Sequence, residues 1–270
     1  MFISAVILSY NSDKTLDRCL GDLVQALDPF ARENEIFVVD NGSRDSSKKI
    51  IHEYKGRYPK LIHSIIFAKN TGTTFSRNAA LRNSSGEYLL ILDSDAYVNH
   101  NALALLIQRL SEHPKTGIAA PRLSYGSGKY QLSCDVFPTV THKLRRFLFL
   151  RKMEDCEHEL RTTSVAVDVD YAISACWVIR RDAFLKTGLF DENIFYSPED
   201  VDYCLRIWES GFKITYVPDA EVIHDAQELS RGFRLSRFHF SHLWGMFYLH
   251  RKHKYFCSRK NLYRRLNRFD

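Results

Sequence analysis

Two aspartates one residue apart, Asp93 and Asp95, follow directly on the apolar run Tyr88-Leu89-Leu90-Ile91-Leu92. Side chains alternate along an extended segment, so both carboxylates leave the end of a buried strand on one face and can share a cation. A hard divalent ion held by one or two carboxylates keeps positions open, and through them it grips a diphosphate. Asp-x-Asp is also an ordinary polar strand end, so the pair alone does not decide. Asp40, followed by Asn41-Gly42, can accept a hydrogen bond from the imide N–H of a pyrimidine base, or close a turn on its own backbone. Gly72 either lets a ligand approach closely or only turns the chain, and Arg77 either contacts phosphate or is a solvated helix residue. A carboxylate of the Glu199-Asp200 pair could deprotonate an attacking hydroxyl. Ser197-Pro198-Glu199-Asp200 is equally a helix start, with Ser197 as N-cap, Pro198 at N1 and an acid at N3. A cap needs one carboxylate, however, and Asp202 makes three in one turn. His224 is a ligand if it reaches the two aspartates and structural otherwise.

Every one of these residues falls at the end of an expected element. Ile3 to Leu8, Glu35 to Val39, Ile62 to Phe67 and Tyr88 to Leu92 are short apolar runs, as expected for strands covered on both faces. Ser12 or Asp13 is placed to cap a helix carrying Leu16, Leu20, Leu23, Val24 and Leu27. Further helices are expected from about Ser46 to Tyr54, Phe75 to Leu81, Asn101 to Leu110, Arg181 to Lys186 and Ser197 to Ser210, the last with the apolar stripe Val201, Cys204, Leu205 and Trp208. Strands are expected at Val165 to Ala175 and at Lys213 to Val217, the latter ending before Pro218. Short strands alternating with helices predict a doubly wound, parallel α/β sheet with its ligands at the carboxyl ends of the strands. The irregular stretch from about 120 to 165, including the mixed-charge segment Lys152 to Arg161, is where acceptor contacts are expected.

A chain of 270 residues with 45% hydrophobic and 26% charged residues can bury a sizeable core and is not a disordered composition. Its six cysteines fall singly, which predicts reduced, mostly packed thiols rather than a disulfide framework. The N-terminus lacks a basic region and a cleavage site, and no window approaches the ~18 apolar residues of a membrane span, so a cytoplasmic catalytic part is expected. Of the net charge of +6, residues 231–270 carry +10, from eleven Lys/Arg and the single acid Asp270. Aromatics including Trp244, Phe247, Tyr255 and Phe256 are interleaved with these charges. Such a tail suits an anionic membrane surface or an anionic acceptor, or packs its aromatics on the main domain. Nucleic acid is not expected, because no standard binding signature is present.

Taken together, these segments resemble the inverting family 2 glycosyltransferases of the GT-A fold, over most of the chain. The matching series runs from Val6-Ile7-Leu8-Ser9-Tyr10-Asn11 through Val38-Val39-Asp40-Asn41-Gly42-Ser43, Asn70-x-Gly72 with Arg77-Asn78, and Asp93-Ser94-Asp95. It continues with Gly188-Leu189-Phe190-Asp191-Glu192, Glu199-Asp200-Val201-Asp202 and Tyr216-Val217-Pro218-Asp219-Ala220-Glu221-Val222-Ile223-His224. The resemblance implies a Rossmann-like, mostly parallel sheet flanked by helices over 1–225, with a nucleotide-binding half at 1–100, an acceptor-binding half at 101–225, and a basic, aromatic, helical extension at 226–270. It implies nucleotide contacts from Ser9, Tyr10, Asn11, Asp40, Asn41, Gly72, Arg77, Asn78, Asp93 and Ser94. Asp93, Asp95 and His224 would hold Mg²⁺ or Mn²⁺, and Asp200 would be the general base with Glu199 beside it. A sugar would then pass from a UDP-sugar or dTDP-rhamnose to a saccharide or lipid-linked saccharide, in surface polysaccharide or cell-wall assembly, in the cytoplasm or peripherally at the cytoplasmic face of a membrane. The ending at His224 and the basic tail resemble the rhamnosyltransferase branch, whereas Thr73-Thr74-Phe75-Ser76-Arg77 departs from its small residues. A sugar-nucleotidyl transferase, and a catalytically silent nucleotide-binding or membrane-docking module, are the alternatives. The first would want a Gly-rich basic signature after the first strand, where Ser9-Tyr10-Asn11-Ser12-Asp13 stands instead.

Overall fold

The computed structural model describes residues 1–139, 142, 159–226, 237–256, 258–266 and 268. Most of the 152–161 segment, and Arg231 and Arg234 of the tail, lie outside them. Three strands, β1 (Ile3–Ser9), β2 (Glu35–Asp40) and β3 (Ile62–Ile66), are joined in parallel through α1 (Leu16–Leu27) and α2 (Ser47–Arg57). The chain then crosses through α3 (Thr73–Leu81) and places β4 (Tyr88–Asp93) on the other side of β1, again parallel. Strand order reverses at β1, so a crevice opens at the carboxyl ends of β1 and β4, where α/β sheets bind ligands. Register brings the ends together: Ser9 pairs with Asp40, and Leu8 pairs with Asp93.

Beyond β4 come β5 (Ala96–Tyr97), α4 (His100–Glu112), β6 (Thr116–Ser124), β7 (Tyr130–Gln131), β8 (Cys134–Asp135), α5 (Glu159–Thr162), β9 (Val167–Val169), β10 (Tyr171–Ala172), β11 (Cys176–Arg180), α6 (Arg181–Thr187), α7 (Glu199–Glu209) and β12 (Lys213–His224). The main path is β3-β2-β1-β4-β11-β6-β12-β5, and β11 runs antiparallel to both β4 and β6. The sheet is therefore mixed, mostly parallel in its first half. Cys176–Ile179 is a continuous buried run whose pattern is the same in either direction, which is why its orientation was not legible.

Apolar side chains leave both faces of the sheet. Leu90 and Leu92 meet Leu20 and Leu23 of α1 and Leu103 and Leu106 of α4 on one side. Leu89 and Ile91 meet Ala80, Phe184, Val201 and Leu205 on the other. The tail helices α8 (Arg237–His253) and α9 (Lys260–Arg265) join this second layer through Met246, Leu249, Tyr255 and Leu262. Part of the tail is thus a packed layer of the domain. The described cysteines, Cys19, Cys134, Cys176 and Cys204, are buried thiols that form no disulfide.

Several expected boundaries move for physical reasons. The N-cap of α1 is Thr15, not Ser12 or Asp13, because the Ser12 hydroxyl lies 2.7 Å from that of Ser94 instead. The strand expected over Val165 to Ala175 breaks at Asp170, whose carboxylate accepts from Phe137 N (2.7 Å) and the Tyr263 hydroxyl (2.5 Å) and pairs with Arg268. β12 does not stop before Pro218. It shifts register against β6 between Val217 and Glu221, an irregularity that tolerates proline, and runs on to His224.

Candidate active site

β4 ends at Asp93, and β12 brings in a residue 131 positions later because its last residues pair with β5, Ile223 with Tyr97 and His224 with Ala96. One ligand atom from each of Asp93, Asp95 and His224 lies within 4.8 Å of the others. His224 Nε2 is 3.4 Å from Asp95 Oδ1, and its Nδ1 is 2.9 Å from Gln131 Oε1. An acceptor on Nδ1 fixes the ring and leaves Nε2 facing the aspartates, as proteins orient histidine ligands. Burial pulls the His224 pKa down, but Asp95 and then Asp93 outweigh it, and the net direction is up. Burial raises Asp93 against the pull of Arg77, with Asp95 adding to the rise.

Two carboxylates and an imidazole form a donor set that suits Mg²⁺ or Mn²⁺. Ligand atoms around such an ion, each at about 2.1 Å, lie up to ~4.2 Å apart, so the observed 4.8 Å spread closes with an adjustment of roughly half an ångström. The residues fit the ion.

Arg77 is not a solvated helix residue. It is 2% exposed and its guanidinium reaches Asp93 Oδ1 (2.6 Å), the Ser174 hydroxyl (2.8 Å) and Glu199 Oε1 (3.3 Å). It joins the metal-side carboxylate to the first residue of α7. Gly72 sets the start of α3 at φ 90°, and a Cβ there would lie 2.5 Å from Phe195 O. The 72–73 turn is pinned to the loop before Glu199, since Thr73 N donates to Phe195 O over 2.7 Å.

The helix start at Glu199 differs from the expected cap. Pro198 occupies the N-cap position, no side-chain cap bond forms, and Ser197 lies outside the helix. Glu199 turns toward Arg77 and Ser174, while Asp200 Oδ1 accepts from Val201 N over 2.7 Å. Burial, followed by the neighbouring Asp200 carboxylate, pushes the Glu199 pKa up to about 8 against Arg77. Asp202, the third acid of the turn, is 1% exposed and faces away from the crevice, bonding Arg206, Lys252 and His253 at 2.9, 2.6 and 2.8 Å. The three crowded carboxylates therefore divide their tasks.

At the ends of β1 and β2, Asp40 does close a turn: Oδ2 accepts from Gly42 N (3.2 Å) and Ser43 N (3.1 Å). Its Oδ1, and the Ser9 hydroxyl beside it, are buried without hydrogen-bond partners. Tyr10 and Asn11 are exposed at the mouth, Asn11 with φ 51° and its Oδ1 accepting from Arg44 N. Asn41 and Asn78 are buried and serve as loop clasps: Asn41 bonds Asn70, Thr71 and Gly72, and Asn78 bonds Phe190 and Glu192. Ser94 is buried against Ser12. Ser174 and Gln131, which orient Arg77, Glu199 and His224, carry no motif in the sequence that would have singled them out.

A sequence model of Glycosyl transferase family 2 matches residues 4–188. The chain belongs to this family. Among family 2 relatives, it is 24% identical over 218 residues to a cholesterol galactosyltransferase of Borreliella burgdorferi, covering 80% of this chain and 57% of that protein. It is 25% identical over 238 residues to an N-acetylglucosaminyl-diphospho-decaprenol L-rhamnosyltransferase of Mycobacterium tuberculosis, covering 82% of this chain and 75% of that one. In structure it resembles GalNAc-T7, solved with UDP, GalNAc and Mn²⁺, with a TM-score of 0.68 at 18% identity over 93% of this chain and 48% of that one. The fold is GT-A: a mixed, mostly parallel sheet flanked by helices. The chain thus spans little more than half of the galactosyltransferase and about half of GalNAc-T7. The family match ends before Glu199, Asp200 and His224, whose roles stay proposals resting on the motif resemblance and on the contacts of Glu199 with Arg77 and of His224 with Asp95.

Proposed function

We propose that this chain is an inverting, divalent-metal-dependent glycosyltransferase that moves a sugar from a nucleotide diphosphate donor to a saccharide or lipid-linked saccharide, in surface polysaccharide or cell-wall assembly. The observation that carries the reading is the convergence of Asp93, Asp95 and His224 on one point, tied through Arg77 to the turn holding Glu199 and Asp200. Mg²⁺ or Mn²⁺ held by the three ligands would offset charge on the departing diphosphate. Asp200 is the base that takes the acceptor hydroxyl's proton as its oxygen attacks the anomeric carbon from the opposite side, which inverts that centre. Glu199 is held mostly protonated near pH 7 and positions Arg77 rather than abstracting a proton. The chemistry needs no enzyme nucleophile.

The orphaned Asp40 Oδ1 favours a pyrimidine donor, because an imide N–H supplies the missing hydrogen bond. Asp40 is fully covered, so base binding is accompanied by local opening beside it. UDP-sugars and dTDP-rhamnose share that imide. The relatives include a galactosyl- and a rhamnosyltransferase that match 80% and 82% of this chain, so the reading keeps both donor sugars. Thermal-shift measurements with UDP, dTDP and GDP, each with and without Mn²⁺, test the site: only pyrimidine diphosphate with metal should raise the midpoint. Asp200→Asn should lower transfer by at least about a thousandfold while leaving that shift intact. Transfer at the wild-type rate by this variant would remove Asp200 from the mechanism.

A further inference from the structure

Helix α8 has two unlike faces. Met246, Leu249, His250 and His253 are buried, Lys252 bridges Asp191 and Asp202 at 2.6 Å each, and a Cβ on Gly245 would lie 2.1 Å from Ser197 O. That face is seated on the segment leading into Glu199 and Asp200. On the other side, Trp244 is 66% exposed and Phe247 51%, their ring centroids 5.9 Å apart. Arg251, also exposed, continues the row, and steps of three and four residues keep Trp244, Phe247 and Arg251 on one strip of the helix surface. Exposed Lys254, at φ 54°, stands just past the end of the helix. A Trp-Phe pair left in water on a helix that buries Met246 and Leu249 is an interaction surface in want of a partner.

Charge selects the partner. Of the eight Lys/Arg between Trp244 and Arg268, Lys252, Arg265 and Arg268 pair with carboxylates of the domain, whereas Arg251, Lys254, Lys260 and Arg264 are exposed, and the segment holds no acidic residue. An aromatic end and a basic end along one strip match the two layers of an anionic membrane surface, where rings enter the headgroup boundary and cations meet lipid phosphates. We propose that α8 docks this strip on an anionic lipid bilayer, with Trp244 and Phe247 inserted and Arg251 and Lys254 at the headgroups. The opposite face of the same helix braces the Ser197–Pro198 backbone, so docking also sets the orientation of the candidate catalytic turn to the bilayer. This last consequence rests on the sugar-transfer reading, whereas docking itself does not.

The chain has three tryptophans, of which Trp177 is 0% and Trp208 9% exposed, so a change in emission on membrane contact reports Trp244. The full chain is mixed with phosphatidylcholine vesicles and with vesicles containing a third phosphatidylglycerol, at low and high salt. We expect a blue shift and co-sedimentation with the anionic vesicles only, weakened by salt. Trp244→Ser with Phe247→Ser should lower partitioning at least tenfold. Arg251→Gln with Lys254→Gln should remove most of the salt-sensitive part. Both double variants should keep the wild-type thermal shift with UDP and Mn²⁺, which shows that they fold and separates this test from the reading of the site. Equal vesicle binding by the aromatic variant would overturn the proposal. So would binding indifferent to phosphatidylglycerol, or a concentration-dependent dimer that disappears in the aromatic variant without any vesicle binding.

Discussion

Glu199 shows most directly how environment assigns a role to a side chain. It stands next to Asp200, yet burial and that neighbour push its pKa from 4.5 up to about 8. A carboxyl group whose pKa is raised by folding stabilises the fold fully below its unfolded value and loses that contribution as pH rises through the folded value. Wild-type stability relative to Glu199→Gln should therefore decline between about pH 4.5 and pH 8. Urea titrations at intervals across this range check the slope, and a flat difference would contradict the shift. Asp40, Asp93, Asp95 and His224 were legible as candidates because each stands at or just past the end of an apolar run, and Asp200 because three carboxylates crowd one helix start. The partners that aim them were not: Ser174 and Gln131 are ordinary polar residues whose value comes only from where the sheet places them. Arg77 was legible as a type but not in its setting, since a helical arginine is solvated far more often than buried between two carboxylates.

At the scale of elements, the first four strands and their helices were readable because parallel strands covered on both faces are continuous apolar runs. Beyond residue 116 the pattern lost direction. Antiparallel β11 and the interrupted β12 are decided by which neighbour is available, not by their own periodicity. The 72–73 turn is the joint between the two parts, since its hydrogen bond to Phe195 O ties α3 to the loop before α7. Gly72→Ala would place a Cβ 2.5 Å from that same oxygen and hold a side chain at φ 90°. It should cost about 1–3 kcal/mol of stability, read from the denaturation midpoint. Turnover should fall further than stability alone explains, because the displaced loop carries Glu199 and Asp200.

For the whole molecule, the tail is where composition was most informative and most open to misreading. Basic, aromatic residues left a membrane surface, an anionic acceptor and packing on the main domain open, and Met246, Leu249, Tyr255, Leu262 and Leu266 are buried in the second core layer. Lys252 and His253 also neutralise Asp202, a carboxylate 1% exposed. A chain truncated after residue 225 would leave Asp202 with Arg206 alone of its three basic partners and would uncover the apolar residues now packed under the tail. We expect such a truncation to lose cooperative unfolding and near-ultraviolet dichroism, so surface substitutions, not deletion, are the means of probing the tail. No helix among the described residues is long and apolar enough to cross a membrane.

The pairing of the end of β12 with β5 has a consequence for how the protein is made. A chain leaving the ribosome presents Asp93 and Asp95 early, with only two carboxylates to offer an ion, and the imidazole of His224 arrives after 128 further residues have been added. Such distant pairing forms late, after local helices and the first parallel strands. Under the proposed metal reading, a nascent chain acquires its full ligand set only once β12 is in place, and products that end before it would offer the ion two carboxylates alone.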